Sequence, residues 1–429
     1  MSSTSRTVAP TPPMGWNSWD CFGTSVTESE VLRNAEYMAE HLLPYGWDTI
    51  VVDTQWYEPT ARAGGYNDDA PVLLDQWGRP MPAPNRFPSA VDGAGFAPLA
   101  HRVHELGLKF GLHIMRGIPR RAVEQNLSIL GTTAHAADVV DRDSTCEWNG
   151  DNFGIDHSKE AAQAYYDSLA ALFAQWEVDY VKVDDMIGPF HADEVTAFSR
   201  AISNSGRSMV LSLSPGQMLS TAHAAAMRES ADIWRVSADL WDRWADVRGQ
   251  FERLAMWAPF AGDGGWADAD MLPLGRIGIR AEEGPDRQSR LTHDEARSMM
   301  TLWIIARSPL MFGGDLPQTD PQTLELLTNR GVLRVLTSSS NSRQVVRHEG
   351  LVVWAADAAE LGTRYVAVFA IDENSVNFAL PLSSVGIGHN AIATDLWTGE
   401  SHSVNHVLTG TLEGHACRLF AIEPLGDLR

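Results

Sequence analysis

From the start of the chain to about residue 315, short β-branched runs alternate with longer helical patterns, and few folds accept that rhythm. The runs at 48–56 (DTIVVDTQW), 108–115 (LKFGLHIM), 178–185 (VDYVKVDD), 208–215 (SMVLSLSP), 232–239 (DIWRVSAD) and 308–316 (SPLMFGGDL) read as strands. Segments near 14–19 and 266–272 complete eight. Between them, 28–43, 96–106, 158–176, 192–203 and 293–306 carry apolar residues at three- and four-residue steps, the spacing of one helix face. Such alternation implies parallel βαβ units, and eight of them predict a closed (β/α)8 TIM barrel. A doubly wound open sheet is the competing α/β arrangement, but no glycine-rich phosphate loop follows the first strand. After about residue 330 the texture changes. Strand-like stretches at 343–354, 364–371, 390–395 and 418–422 follow one another across Gly, Asn, Asp and Ser turns with no helical pattern between them. The expected organisation is a catalytic barrel over 1–330 and a C-terminal antiparallel β-sandwich domain over 331–429.

Composition narrows the partners. With 55 acidic against 33 basic side chains the net charge is −22, so nucleic acid phosphates and anionic lipid are repelled. No apolar run approaches the roughly 18 residues of a membrane span. Cys21, Cys146 and Cys417 are too few and too scattered for a disulfide framework or a metal-ligand set, so no cofactor and no metal are expected. The opening segment MSSTSRTVAPTPPMGW has no apolar stretch of the signal-peptide kind, and a cytoplasmic enzyme is the expectation. Lys109, Lys159 and Lys182 are the only lysines, which makes a lysine inside a candidate site conspicuous.

In a TIM barrel the chemistry gathers at the C-terminal ends of the strands. Those ends carry Trp19, Asp53, His113, Asp184, Ser214, Asp239 and Asp270. Any one aspartate there could be a helix cap. Four on separate strands point instead to a site. Alternation sharpens the choice. In the fourth strand Lys182 and Asp184 share one face, while Val181 and Val183 suit the helical shell. Asp184 rather than Asp185 should therefore face the barrel interior, with a cation on its own face to keep it ionised as a nucleophile must be. In the sixth strand Arg235, Ser237 and Asp239 share a face in the same way. Facing each other across the mouth, Asp184 and Asp239 would form the carboxylate pair of glycoside hydrolysis. Asp53 and Asp270, on strands two and seven, suit hydroxyl binding, and Asp268 is as readily a cap.

These residues sit in motifs that closely resemble glycoside hydrolase family 27, the clan D α-galactosidases and their relatives. PPMGWNSWDCFG at 12–23, DYVKVDD at 179–185, WRVSAD at 234–239, GGWADADML at 264–272 and LWIIARSPLMFGGDL at 302–316 occur in the family's order, and DLWTGE at 395–400 extends the likeness into the C-terminal domain. The resemblance implies a retaining double displacement with Asp184 as nucleophile and Asp239 as acid/base. It also implies sugar contacts from Trp19, Asp53, Lys182, Arg235 and Asp270. Departures from the family pattern concern the substrate. The second of two consecutive aspartates after strand two is Thr54, the strand-three tyrosine is His113, and a Cys-Glu-Trp in the strand-five loop is Leu213-Ser214-Pro215. The cysteine two residues after the nucleophile is Met186, which leaves Cys146 without the disulfide partner the family provides.

The expected activity is exo-hydrolysis of terminal α-D-galactosides or configurationally equivalent sugars in an oligosaccharide or glycoside substrate. Thr54 admits β-L-arabinopyranosidase activity, since α-D-galactose without its hydroxymethyl group has that shape. Ser214 admits α-N-acetylgalactosaminidase activity, and an isomalto-dextranase-type activity is a further family variant. Two rivals come from other classes. A metal-dependent barrel hydrolase would need histidines at strand ends, whereas the HxxH of His101 and His104 falls on a helix. A non-catalytic sugar-binding protein would have no need of both Asp184 and Asp239. Linkage, aglycone and oligomeric state stay open at this stage.

Overall fold

The computed structural model describes residues 8–67, 70–388 and 390–425. The first seven residues of the opening segment lie outside them. Eight parallel strands form the central sheet: β1 (Met14–Asn17), β2 (Thr49–Val52), β3 (Lys109–Met115), β4 (Tyr180–Asp184), β5 (Val210–Leu213), β6 (Ile233–Arg235), β7 (Trp266–Asp268) and β8 (Leu310–Phe312). They pair in chain order, and β8 pairs with β1. Just beyond β7, Leu272 bridges to Phe312, and its N–H donates to Met311 O at 2.7 Å, closing the barrel.

Strand alternation governs the packing. Val51, Tyr180, Val210, Ile233, Trp266 and Met311 point inward and fill the barrel below its mouth. Their neighbours Val181, Val183, Leu211, Leu213 and Trp234 point outward, into the core shared with the helices. The interior is therefore a packed core rather than a pore, and the inward residues one step further along each strand form the floor of the mouth. The strands are shorter than the sequence implies, because the residues at their C-terminal ends leave the ladder to turn over the mouth.

The outer ring is α1 (Glu28–Tyr37), α2 (Ala97–Glu105), α3 (Ala162–Gln175), α4 (Ala192–Asn204), α5 (Ala224–Ser230), α6 (Trp244–Trp257), α7 (His293–Ala306), α8 (Pro321–Thr328) and α9 (Arg330–Ser338). Sequence spacing anticipates α1 to α4 and α7, and it misses α5, α6, α8 and α9. Capping boxes start two of them, Thr27 with Glu30 and Thr292 with Glu295. Between β3 and α3 a small antiparallel sheet of three short strands (Ile118–Pro119, Val140–Thr145, Asn152–Ile155) leans over the barrel.

The C-terminal region is antiparallel throughout. A six-stranded sheet contains β9 (Ser340–His348), β10 (Leu351–Asp357), β11 (Arg364–Ala370), β13 (Asn390–Asp395), β14 (Ser401–Asn405) and β16 (Cys417–Pro424). A two-stranded layer of β12 (Val376–Pro381) and β15 (Val407–Leu412) covers one face. The run at 343–354, which reads as one strand, is a hairpin, because Glu349 and Gly350 take positive φ and reverse the chain. Val353, Ala355, Val366 and Val368 face the two-stranded layer, while Val352, Trp354, Ala367 and Phe369 join the barrel's core. Helix α7 lies between barrel and sandwich, which explains why it is buried nearly all round. Its Ser298 Oγ donates to His415 O at 2.6 Å and its Thr301 Oγ1 accepts from Trp397 Nε1 at 2.9 Å, tying the two regions together. No helix among the described residues is long and apolar enough to cross a membrane.

Candidate active site

The end of β4 carries Asp184 into the mouth, with its outward neighbour Val183 in the shell. Two strands on either side supply its partners. His113 Nε2, from β3, donates to Asp184 Oδ2 at 3.2 Å. Ser214 Oγ, just past β5, donates to Oδ1 at 2.7 Å, and the Asp185 N–H reaches the same oxygen at 3.1 Å. Burial by itself would push the Asp184 carboxyl up. The hydrogen bond and charge interaction with His113, helped by Lys182 and Arg235, outweigh it and hold the group well below the usual carboxylate range.

Lys182 acts on Asp184 through its charge, as its place on the same face implies, but makes its hydrogen bond elsewhere. The ammonium turns sideways to β2 and donates to Asp53 Oδ2 at 3.0 Å. Asn17 Nδ2 donates to the same oxygen at 2.7 Å, and the Thr54 N–H to Oδ1 at 2.8 Å. Despite burial, Lys182 first and His113 second bring the Asp53 carboxyl down to about 2. Lys182 itself is raised: burial works against its charge, and Asp53 more than compensates. Thr54 follows with a fully buried side chain.

The opposite wall is built on one guanidinium. Arg235, at the end of β6, donates through Nη1 to Asp270 Oδ1 at 2.8 Å and through Nη2 to Asp239 Oδ1. Asp270 is further held by the Leu240 N–H at 2.7 Å, which carries the chain around Asp239. Asp268 accepts the Asp270 N–H at 2.9 Å, a local turn contact two residues along the chain with no helix after it to cap. The Asp239 side chain is 42% exposed toward the cleft and crowded on its other sides. Burial first, then the charges of Asp270 and Asp184, raise its pKa against the pull of Arg235. Two carboxyls at one mouth are thus driven in opposite directions.

A cleft of about 560 Å³ opens between the walls, lined by Asp184, Arg235, Asp239, Tyr66, Trp148 and Glu282 among others. The other sequence-predicted residues, Trp19, Asp53, Thr54, His113, Lys182, Ser214 and Asp270, are gathered behind it, nearly all of them buried. Sequence reasoning missed two groups here. Asp20, next to Trp19, is buried, and burial with the charges of Asp270, Asp239 and Asp53 pushes it far up, which favours a neutral carboxyl. Gly313 makes room for it, since a Cβ there would lie 2.0 Å from Asp20 Oδ2. Its signal was its position directly after the first strand. Tyr66 had no signal, because it lies in a loop far from any strand end. Its ring sits between Trp19 and Trp148, with centroids 5.2 Å from each. The loop is pinned on both sides of it: Thr24 Oγ1 donates to Gly65 O at 3.1 Å and Gln55 Oε1 accepts the Asn67 N–H at 2.9 Å.

Among the described residues no group of three or more His, Cys, Asp or Glu side chains is arranged to hold a metal ion. His104 of the HxxH donates from α2 to Asp179 at 2.7 Å, outside the cleft. The three cysteines are free, Cys146 among them.

Known proteins share this architecture. The family model "Alpha galactosidase A" matches residues 157–337, and "Alpha galactosidase C-terminal beta sandwich domain" matches 348–422. The crystal structure of a family 27 β-L-arabinopyranosidase from Geobacillus stearothermophilus superposes with a TM-score of 0.97 at 50% identity, over 100% of both chains; a variant of that enzyme has been crystallised in complex with arabinose. Alpha-galactosidase 2 of Arabidopsis thaliana is 28% identical over 97% of this chain and 90% of its own. The α-N-acetylgalactosaminidase of Gallus gallus is 28% identical over 76% of this chain and 70% of its own. The chain is accordingly a glycoside hydrolase and belongs to glycoside hydrolase family 27.

Proposed function

We propose that this enzyme is a retaining exo-glycosidase acting on pyranosides of the α-D-galacto or β-L-arabino configuration, with Asp184 as nucleophile and Asp239 as acid/base. The observation that carries this reading is that two carboxyls line one cleft, Asp184 bound by His113 and Ser214 and Asp239 bound by Arg235. In the first step an oxygen of ionised Asp184 forms a bond to the anomeric carbon while protonated Asp239 gives its proton to the departing glycosidic oxygen. Asp239, now ionised, then takes a proton from water, whose oxygen displaces Asp184 and releases the sugar. Asp53, Lys182 and Asp270 are placed to hold ring hydroxyls, and Trp19 with Tyr66 to bound the apolar side of the ring.

Of the two configurations we favour the arabinopyranoside. Where the family usually has a second carboxylate, Thr54 brings an uncharged and fully buried side chain, so a hydroxymethyl group finds one charged acceptor fewer. The 50% identity with an arabinopyranosidase supports the same choice. The free cysteines suit a reducing compartment and support a cytoplasmic site of action. The test is a panel of p-nitrophenyl β-L-arabinopyranoside, α-galactoside, α-N-acetylgalactosaminide and α-glucoside, with the product anomer followed by NMR. The arabinopyranoside should give the highest kcat/KM, with first release of the retained anomer. First release of the inverted anomer would refute the double displacement, and a faster α-N-acetylgalactosaminide or α-glucoside would refute the glycone assignment.

A further inference from the structure

A second cavity, of about 760 Å³, lies at the other end of the barrel, where Trp266 opens β7 and Arg307 leads into β8, and the first residues of β9 form its far wall. In a chain of net charge −22 its lining is inverted: Arg228, Arg307 and Arg343 against Asp263 alone. Asp263 is 98% exposed and 4.0 Å from Arg228, too open to neutralise much.

Each arginine is fixed by backbone oxygens rather than by a carboxylate of its own. Arg228 Nη1 donates to Phe260 O at 2.8 Å and Gly262 O at 3.2 Å. Arg307 donates from Nε to Leu336 O at 3.0 Å, and its guanidinium lies 4.5 Å above the Trp266 ring. It occupies the left-handed region at φ 59, an unusual conformation for a side chain of its size, at the C-terminus of α7. Arg343 donates to Asn341 O at 2.9 Å, and the Asp357 carboxylate 3.8 Å from it is shared with Arg364 at 3.2 Å. Burial lowers the pKa of Arg307, with only Asp263 opposing, as expected of a cation that lacks a counter-ion.

We infer that this cavity is an oxyanion-binding site for a phosphate group, which Arg228 and Arg307 of the barrel and Arg343 of the sandwich would hold together. Guanidinium forks match phosphate oxygens in pairs, and backbone anchoring leaves N–H groups free for them. An anion bridging barrel and sandwich stabilises the folded chain by RT ln(1 + [L]/Kd), more with every rise in its concentration.

The test uses the full-length enzyme, with thermal unfolding and calorimetric titration in inorganic phosphate, in a hexose phosphate and in chloride of matched ionic strength. Phosphate should raise the unfolding temperature with the logarithm of its concentration and titrate to saturation in the calorimeter, and chloride should do neither. Arg307→Gln and Arg343→Gln should each weaken binding about tenfold or more and leave glycosidase activity unchanged, since the carboxylate pair lies at the opposite end of the barrel. Tighter binding of the hexose phosphate would identify a phosphomonoester as the ligand, and equal binding would identify free phosphate. Equal stabilisation by chloride, or undiminished phosphate binding in both variants, would overturn the site. So would loss of a dimer on Arg343→Gln without any phosphate binding, which would make the cavity an interface between copies.

Discussion

The two walls of the catalytic mouth use the same side chain for opposite ends. On the β3–β5 wall Asp184 is surrounded by hydrogen-bond donors, His113, Ser214 and the Asp185 N–H, and it stays ionised although buried. On the β6–β7 wall Asp239 has one cation, Arg235, which it shares with Asp270, and the acids around it raise its pKa. Burial pushes both carboxyls up. What separates them is how many donors each can keep to itself. On the proposed assignment, a nucleophile and an acid are made from one residue type by dividing the donors unequally.

The largest effects should come from the carboxyls themselves. Asp184→Asn removes the attacking oxygen and should cost on the order of 10⁴-fold or more in kcat with every leaving group. Asp239→Asn should cost roughly 10²–10⁴-fold with an alkyl or sugar leaving group and far less with a nitrophenolate, which departs without a proton. Equal losses on both substrates for both variants would break the assignment of separate roles.

A smaller loss should follow His113→Phe, about tenfold to a hundredfold in kcat/KM, since a donor to a charged group is removed inside the protein. The pKa of Asp184 would then rise, the ionised form would disappear at higher pH, and the acid limb of the pH–rate profile would move up. His113→Gln keeps a donor near that place and should restore much of the rate. A profile unmoved by the phenylalanine would show that His113 is only structural.

The barrel, its eight strands and the inward faces of β4 and β6 could be read from the chain because alternation in a buried strand has only two answers, and valine at 181 and 183 gave one. Asp184 was separable from Asp185 on that ground alone. Lys182 acts on Asp184 by charge as its face implies, but its hydrogen bond to Asp53 was illegible, because alternation orders residues along a strand and says nothing of how far across the sheet a long side chain will reach. The shape of Ser214 and His113 around one carboxylate was illegible for the same reason. Tyr66 depends on loop contacts from Thr24 and Gln55, which no local period encodes. Asp20 became significant only once Gly313, nearly 300 residues away, was brought beside it.

On the acid's wall, Asp270→Asn should cost about tenfold in kcat/KM and shift the other limb of the profile. Asp270 is an anion that raises Asp239, and it also draws part of Arg235 away from it. Removing its charge lowers the pKa of Asp239 on both counts. The protonated form is then lost at lower pH, and the basic limb moves down. An acid limb that moved instead would mean that Arg235 serves Asp184 more than Asp239.

Ser214→Ala should give the smallest change, a few-fold in kcat/KM, and it bears most directly on the division of donors. The hydroxyl donates at 2.7 Å to Asp184 Oδ1, yet the Asp185 N–H already reaches that oxygen at 3.1 Å, so the carboxylate is not left bare. A neutral hydroxyl also carries no charge to act on the second oxygen, where His113 is bound. Its loss should therefore move the acid limb in the same direction as His113→Phe and by less, with the basic limb unmoved. In the double variant with His113→Phe the two losses should exceed their sum, because Asp184 would then rely on a single backbone N–H. Strict additivity would show that the two donors act on Asp184 independently, and that how many it keeps matters less than which ones.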